Sequence, residues 1–179
     1  SVVSTQGFPV LFEGYSPATF GKLVLSTKIG ALNAKSATVV DGALTSLKTD
    51  KPVQTIAIWL SHYGVFMSDG TVVTGISDDI QNYFDPSKTE CIRRGYEDKM
   101  WLFYDSLYNI IRIGLVSGVS ATKANAFPVF DLIELKWTFD VLTQPFSSMC
   151  EVEAASGDIG ILQYGGGTID GYIYQSNTT

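Results

Sequence analysis

The residues of this sequence that could do nucleophilic or metal chemistry are few and scattered. The 179-residue chain has one histidine, His62, and two cysteines, Cys91 and Cys150. A tetrahedral zinc site needs several Cys or His ligands at short spacings, which these residues do not provide. A hydrolytic triad holds its histidine between a nucleophile and a carboxylate, whereas His62 falls in a predicted turn facing solvent. Both cysteines are predicted to be buried free thiols.

Carboxylates are the remaining candidates for catalysis. Asp78 and Asp79, with Asp85, could bind calcium or form a glycosidase pair. Adjacent residues on a strand or helix point in different directions, so Asp78 and Asp79 are not expected to face each other. We favour a short helix over 77–84, in which Ser77 is the N-cap and both aspartates occupy the first turn.

Two glycine-containing segments are similar to functional loops, but we interpret both as hairpin connections. Ser68-Asp69-Gly70 is similar to the Asp-box turn of sialidase propellers, without its spacer between Ser and Asp or its downstream aromatic residue. Gly165-Gly166-Gly167 could cradle a phosphate, but such loops lead into a helix. A strand-like segment, 171–175, follows here instead.

Aromatic side chains could stack on sugars or on bases. Most of them fall inside periodic apolar segments, which favours core packing over ligand binding. The aromatic residues in question are Trp59, Trp101, Trp137, Tyr164, Tyr172 and Tyr174.

The elements that carry these residues have the pattern of an all-β protein. Apolar residues make up 45% of the chain and charged residues 17%, which predicts a folded domain. Short segments rich in Val, Ile, Thr, Tyr and Phe alternate with turn residues, among them 17 glycines. Helix signals are almost absent.

The charge distribution limits the partners that we expect. The formal net charge is -6, and the longest basic run is Arg93-Arg94, so tight nucleic-acid binding is not predicted. An acidic surface could still line a DNA channel without holding the DNA. The longest apolar runs are too short to cross a bilayer, so no membrane partner is expected. No residue pattern calls for a cofactor.

A degenerate repeat predicts the architecture. Ile58-Trp59-Leu60 and Met100-Trp101-Leu102 lie 42 residues apart, each followed by a break and a second apolar segment. A third copy begins at Gly160. We therefore predict a β-propeller, or part of one, with about three to four blades; the alternative is a β-sandwich. The blade units would lie near 37–85, 90–141 and 146–175 of a single β-rich domain, 1–179. Three blades do not close a ring, so we expect a piece of a larger protein.

Several segments resemble virion structural proteins of tailed bacteriophages, namely the β-propeller proteins of the DNA-stabilisation, neck or tail-nozzle type. These segments are 14–20, 28–31 and 35–36; 58–60, 64–70, 76–80 and 83–84; and 130–132 with 137–139. The resemblance implies a propeller around a channel in the virion, assembled in the host cytoplasm. It implies no catalytic residues.

Three functions remain open. The first is a non-enzymatic virion component whose partners are other virion proteins or further copies of the chain, with Phe8–Phe12 as an unpaired apolar edge. The second is a lectin-like propeller for host attachment, which would expose Trp137 or Tyr172 in a concave site. The third is a glycosidase, for which Asp131 and Asp140 are the pair to test. No catalytic, metal-binding or ligand-binding residue is assigned.

Overall fold

A computed structural model describes most of the chain. The described residues are 2–5, 8–13, 21–24, 26, 28–40, 55–142, 146–153, 161–167 and 173–175. Over these residues the regular structure is almost entirely β, with short 3₁₀ segments at Asp78–Tyr83 and Glu97–Lys99. The predicted all-β class is confirmed. No helix in the described part of the chain is long and apolar enough to span a membrane.

The strands within the described ranges form four antiparallel sheets, and in each sheet neighbours in space are neighbours in sequence. Sheet I contains β1 (Val2–Thr5), β2 (Phe8–Glu13) and β3 (Gly21–Val24). Sheet II contains β4 (Ala37–Val40), β5 (Ile56–Ser61), β6 (Gly64–Ser68) and β7 (Val73–Gly75). Sheet III contains β8 (Trp101–Asp105), β9 (Ile110–Gly114), β10 (Pro128–Asp131) and β11 (Lys136–Phe139). Sheet IV contains β12 (Phe146–Glu153), β13 (Ile161–Gly167) and β14 (Ile173–Gln175). Each sheet is an open meander over these residues.

Aspartates at strand ends shape three of the hairpins. Asp69, Asp105 and Asp131 each accept hydrogen bonds through Oδ1 from the backbone N–H groups two and three residues further on. The carboxylate oxygen thus accepts the N–H groups of the turn that no longer have a partner on the neighbouring strand. In sheet III the turns end at Asn109 (φ 57°) and Leu135 (φ 56°), both left-handed. Asn tolerates that conformation, whereas Leu is strained there.

The core lies between sheets rather than inside any one of them. The larger cluster joins one face of sheet II to one face of sheet III. It includes Ile58 and Leu60 from β5, and Leu102, Ile111 and Ile113 from sheet III, all nearly or fully buried. A second cluster covers the other face of sheet III and extends to sheet IV; it contains Trp101, Phe103, Ala124, Phe127 and Phe146. Sheet III is therefore packed on both of its faces.

Two local predictions were only partly right. A short helix does lie within 77–84, as the 3₁₀ segment Asp78–Tyr83 with Asp78 and Asp79 in its first turn, but Ser77 provides no side-chain cap. Its hydroxyl accepts the N–H of Val65 instead (3.1 Å). Cys91 is half-buried and Cys150 is exposed, so the two free thiols are not both buried as predicted.

Two strand predictions also need correction. Gly165–Gly167 is not a hairpin connection, because these residues belong to β13 and pair with β12. Phe8–Phe12 is not an unpaired edge, since β2 is the central strand of sheet I and pairs with both β1 and β3.

The repeat that predicted the architecture does not align equivalent strands. Trp59 lies on β5, the second strand of sheet II, whereas Trp101 lies on β8, the first strand of sheet III. The first strands of sheets II, III and IV begin at Ala37, Trp101 and Phe146, which is an uneven spacing. The sequence pattern therefore reflects similar apolar strands at different places in the sheets.

Candidate functional site

The first strands of three consecutive sheets meet at one junction. The N–H of Leu102 in β8 donates to the carbonyl oxygen of Lys35, just before β4 (2.8 Å). The ammonium group of Lys35 reaches the carbonyl oxygens of Asp98 (2.8 Å) and Ser147 (3.1 Å). One lysine thus connects the starts of β4, β8 and β12. We call this set of contacts the first-strand junction.

Further bonds show how β8 and β12 run relative to each other. The indole N–H of Trp101 donates to the carbonyl oxygen of Phe146 (2.8 Å), joining the first residues of the two strands. Just beyond the end of β8, the N–H and hydroxyl of Ser106 donate to the carboxylate of Glu151 (2.7 and 2.9 Å). From the first bonded pair to the second, the chain moves five residues forward along β8 and five residues forward along β12. The two strands therefore run side by side in the same direction.

The last strands of sheets II and III also lie together. The indole N–H of Trp137 on β11 donates to the carbonyl oxygen of Ile76, one residue after β7 (2.6 Å). The Trp137 ring packs on Phe130 with 4.9 Å between centroids. Sheets II and III therefore stack with first strand beside first strand and last strand beside last strand.

A buried ion network stabilises the middle of sheet III. The Asp105 side chain is fully buried, and its Oδ2 accepts the Nε–H of Arg112 at 3.1 Å. The Nη1 of the same guanidinium bonds to Asp140. A buried carboxylate is tolerated only when it is paired and hydrogen-bonded, as here. Both carboxylates bond to the same guanidinium, so the network fastens β8 and β9 to the segment that follows β11.

The carboxylates that the sequence singled out do not converge. Asp131 on β10 lies opposite Lys136 on β11 at one end of the hairpin. Asp140 follows Phe139 at the other end. Four residues of strand separate them, roughly 13 Å, which exceeds the spacing that a glycosidase uses.

The remaining candidate carboxylates do not form a metal site either. Asp78 and Asp79 are exposed. Asp85 accepts the N–H of Ser87 (2.9 Å), and this bond lowers the pKa of the Asp85 carboxyl. Within the described residues, no three His, Cys, Asp or Glu side chains are grouped so that they could hold a metal ion.

His62 lies in the β5–β6 turn, as the sequence predicted, but it is half-buried rather than fully solvent-facing. Its Nε2 lies 3.7 Å from the Glu97 carboxylate, and its Nδ1 is buried without a hydrogen-bond partner in the described structure. The hydrogen bonds found for the described residues join no Ser, Thr or Cys side chain to His62, so no nucleophile–base pair is formed at this histidine within that part of the chain.

The tryptophans pack in the core, as predicted for Trp59 and Trp101, which are each 2% exposed. Trp59 stacks on Phe66 with 6.2 Å between centroids. Trp137 is half-buried between sheets II and III. Tyr172 and the side chains of Tyr164 and Tyr174 lie outside the described residues.

Sequence reasoning missed the lysine that joins the sheets and the ion network inside sheet III. Lys35, Asp105 and Arg112 were not singled out, although Asp105 ends a strand in the same way as Asp131 does. The position of Asp105 at the end of a strand could have marked it as a structural residue.

The comparisons with known proteins add no identification. No protein-family model matches this chain, and no curated protein matches it.

Proposed function

We propose that this chain is a non-enzymatic structural protein whose sheets are blades of a β-propeller, working in the virion of a tailed bacteriophage. The observation that carries the propeller is the first-strand junction, at which Lys35 connects the starts of β4, β8 and β12. Propeller blades are four-stranded meanders arranged around a central channel, which puts corresponding strands of successive blades side by side.

The order of strands favours blades over a sandwich. A β-sandwich of the immunoglobulin type connects two sheets by Greek-key crossings, so neighbours in a sheet are often distant in sequence. Here each sheet is built, over the described residues, from strands that are consecutive in the chain. Sheet III is also covered on one face by sheet II and on the other by sheet IV. A middle layer covered on both faces fits successive blades better than the two layers of a sandwich.

The virion role draws on the resemblance to tailed-phage proteins. Two of the resembling segments fall on the β5–β6 and β10–β11 hairpins, while the first, 14–20, lies outside the described residues. The partners would be other virion proteins or further copies of the chain, held by packing. The acidic balance of the chain would let DNA pass through a channel without adhering to it.

The lectin alternative would expose Trp137 or Tyr172; Tyr172 lies outside the described residues, and Trp137 is half-buried. A sugar-binding site needs an aromatic face open to solvent in a concave pocket. The Trp137 ring instead packs on Phe130, and its N–H is used by the carbonyl of Ile76.

The test is the mass and shape of the whole chain in solution. Light scattering coupled to size exclusion should give one discrete oligomer, and class averages from electron cryomicroscopy should show a ring of radial sheets. A matched pair of variants checks the role of the junction: Lys35→Met should loosen the contacts between sheets II, III and IV and lower the melting temperature, whereas Lys123→Met, which replaces an exposed lysine outside the junction, should not. A compact monomer without radial symmetry would contradict the proposal.

A further inference from the structure

A cleft opens at one end of sheets II and III, away from the aspartate hairpins. It has a volume of about 320 Å³, within the range of small-molecule sites. The β5–β6 turn contributes His62, and the connection from β7 to β8 contributes most of the wall. Gly118 and Val119, from the connection between β9 and β10, complete it.

The wall of the cleft combines apolar surface with positive charge. Phe84, Pro86, Ile92 and Val119 supply the apolar part. The cations are three of the twelve Lys and Arg residues of the chain, namely Lys88, Arg93 and Arg94. Among the described residues no Asp or Glu lines this cleft, although the whole chain is acidic.

One cation is fixed in place and two are available to a ligand. The guanidinium of Arg93 donates to the carbonyl oxygen of Ala121 (2.7 Å) and lies 4.1 Å from the centre of the Tyr96 ring. Lys88 and Arg94 are exposed, and neither donates a side-chain hydrogen bond found within the described residues. An incoming anion would therefore meet one preorganised positive charge and two that can close on it.

Three carboxylates lie next to the cleft without lining it and offset part of its positive charge. Glu97 lies 3.7 Å from His62 Nε2, and the pKa of the Asp85 carboxyl is lowered by its hydrogen bonds to Ser87 and by the nearby Lys88. The Asp85 carboxylate is bonded to the N–H of Ser87, and the Glu90 carboxylate accepts the hydroxyl of Thr89 (3.1 Å). Burial raises the pKa of the Cys91 thiol, so that this wall residue stays neutral at physiological pH.

We propose that this cleft binds a small organic anion: a carboxylate or phosphate monoester attached to an apolar or aromatic body. The apolar wall would hold the body, while Lys88 and Arg94 would hold the anionic group. The inference does not rest on the structural role proposed above, because the cleft is formed by sheets II and III whether or not the sheets belong to a ring.

The experiment is isothermal titration calorimetry on the whole chain with phenyl phosphate and with benzoate as probes. We expect one site per chain for at least one of these anions and much weaker binding of benzyl alcohol, which lacks the charge. Lys88→Gln and Arg94→Gln should each weaken binding about tenfold, because each removes one charge-assisted contact. Lys136→Gln is the matched control; this exposed lysine lies on β11 outside the cleft, and its removal should leave the affinity unchanged.

Three results would overturn the proposal. The first is no binding of either anion at millimolar concentration. The second is equal affinity in the wild type and in the Lys88→Gln/Arg94→Gln double variant. The third is inorganic phosphate binding as tightly as phenyl phosphate, which would show that the apolar wall contributes nothing. Thermal melts of each variant establish that the fold is intact, which is expected because both substituted residues are exposed.

Discussion

Sheets II and III have the same strand order, yet they are stabilised differently. In sheet II, β5 is buried along its whole length, and Trp59 has no partner for its indole N–H among the described residues. In sheet III, Trp101 and Trp137 both donate to the backbone of a neighbouring sheet, and Arg112 neutralises a buried aspartate. Apolar burial dominates in sheet II, whereas directional bonds are added in sheet III. Substitutions should therefore cost more in sheet III than at matched positions of sheet II.

The largest difference is expected at the ion network. Arg112→Met leaves the fully buried Asp105 carboxylate without its cation, which should lower the free energy of unfolding by about 3 to 5 kcal/mol. Lys136→Met removes only an exposed pair with Glu134 and should change stability by less than about 1 kcal/mol. Urea unfolding followed by tryptophan fluorescence measures both. Equal midpoints for the two variants would show that the network is energetically neutral.

A pair of glycines gives the next test. A methyl group at Gly114 on β9 would overlap the indole ring of Trp101, which its bond to Phe146 holds in place. At Gly75 on β7 the same methyl group would lie 3.5 Å from the Phe66 ring, an ordinary contact. Gly114→Ala should cost about 2 to 3 kcal/mol and Gly75→Ala much less. Thermal unfolding of the two variants separates them; similar melting temperatures would mean that Trp101 can move aside.

The tryptophans sharpen the comparison further. Trp101→Phe loses an indole hydrogen bond to Phe146 as well as some packing, whereas Trp59→Phe loses packing only. We expect Trp101→Phe to be more destabilising by about 1 kcal/mol, the net value of one hydrogen bond. Chemical denaturation of both variants measures the difference in their free energies of unfolding. A larger loss of stability for Trp59→Phe than for Trp101→Phe would contradict the prediction.

The smallest effect is a gain in stability. Leu135 has φ 56° and is 41% exposed, so Leu135→Asn relieves left-handed strain at little cost in burial. The variant should be more stable by about 0.5 to 1 kcal/mol. Ile133→Asn, in the same turn without a positive φ, is the control and should not stabilise. The melting temperatures of both variants are measured by calorimetry. If Leu135→Asn melts no higher than Ile133→Asn, the turn carries no strain.

Local structure was largely predictable because strands and turns carry their own signals. Turn residues predicted the hairpin connection at Ser68-Asp69-Gly70, which follows β6, since a strand end needs groups that satisfy the backbone. Gly165–Gly167 was misassigned because glycine lacks the side-chain alternation that marks a strand, although its backbone pairs normally in β13.

The contacts between sheets were not predictable from sequence patterns. Lys35 and Ser147 are far apart in the chain, and nothing near either residue indicates that they bond. Arg112 and Asp140 are likewise joined only by the folding of sheet III. The cleft cations Arg93 and Arg94 entered the sequence analysis only as a short basic run, because their common surroundings are created by packing.

The meander order of the sheets has a consequence for how the chain acquires its structure. Each sheet pairs strands that are close in sequence, and such local contacts form faster than distant ones because little loop-closure entropy is lost. During synthesis, sheet II can complete its pairing before sheet III has emerged. Until sheet III arrives, the apolar face of β5 stays open to water. The interval between these two events is when this chain is most exposed to aggregation, and the length of the connection between Gly75 and Trp101 sets that interval.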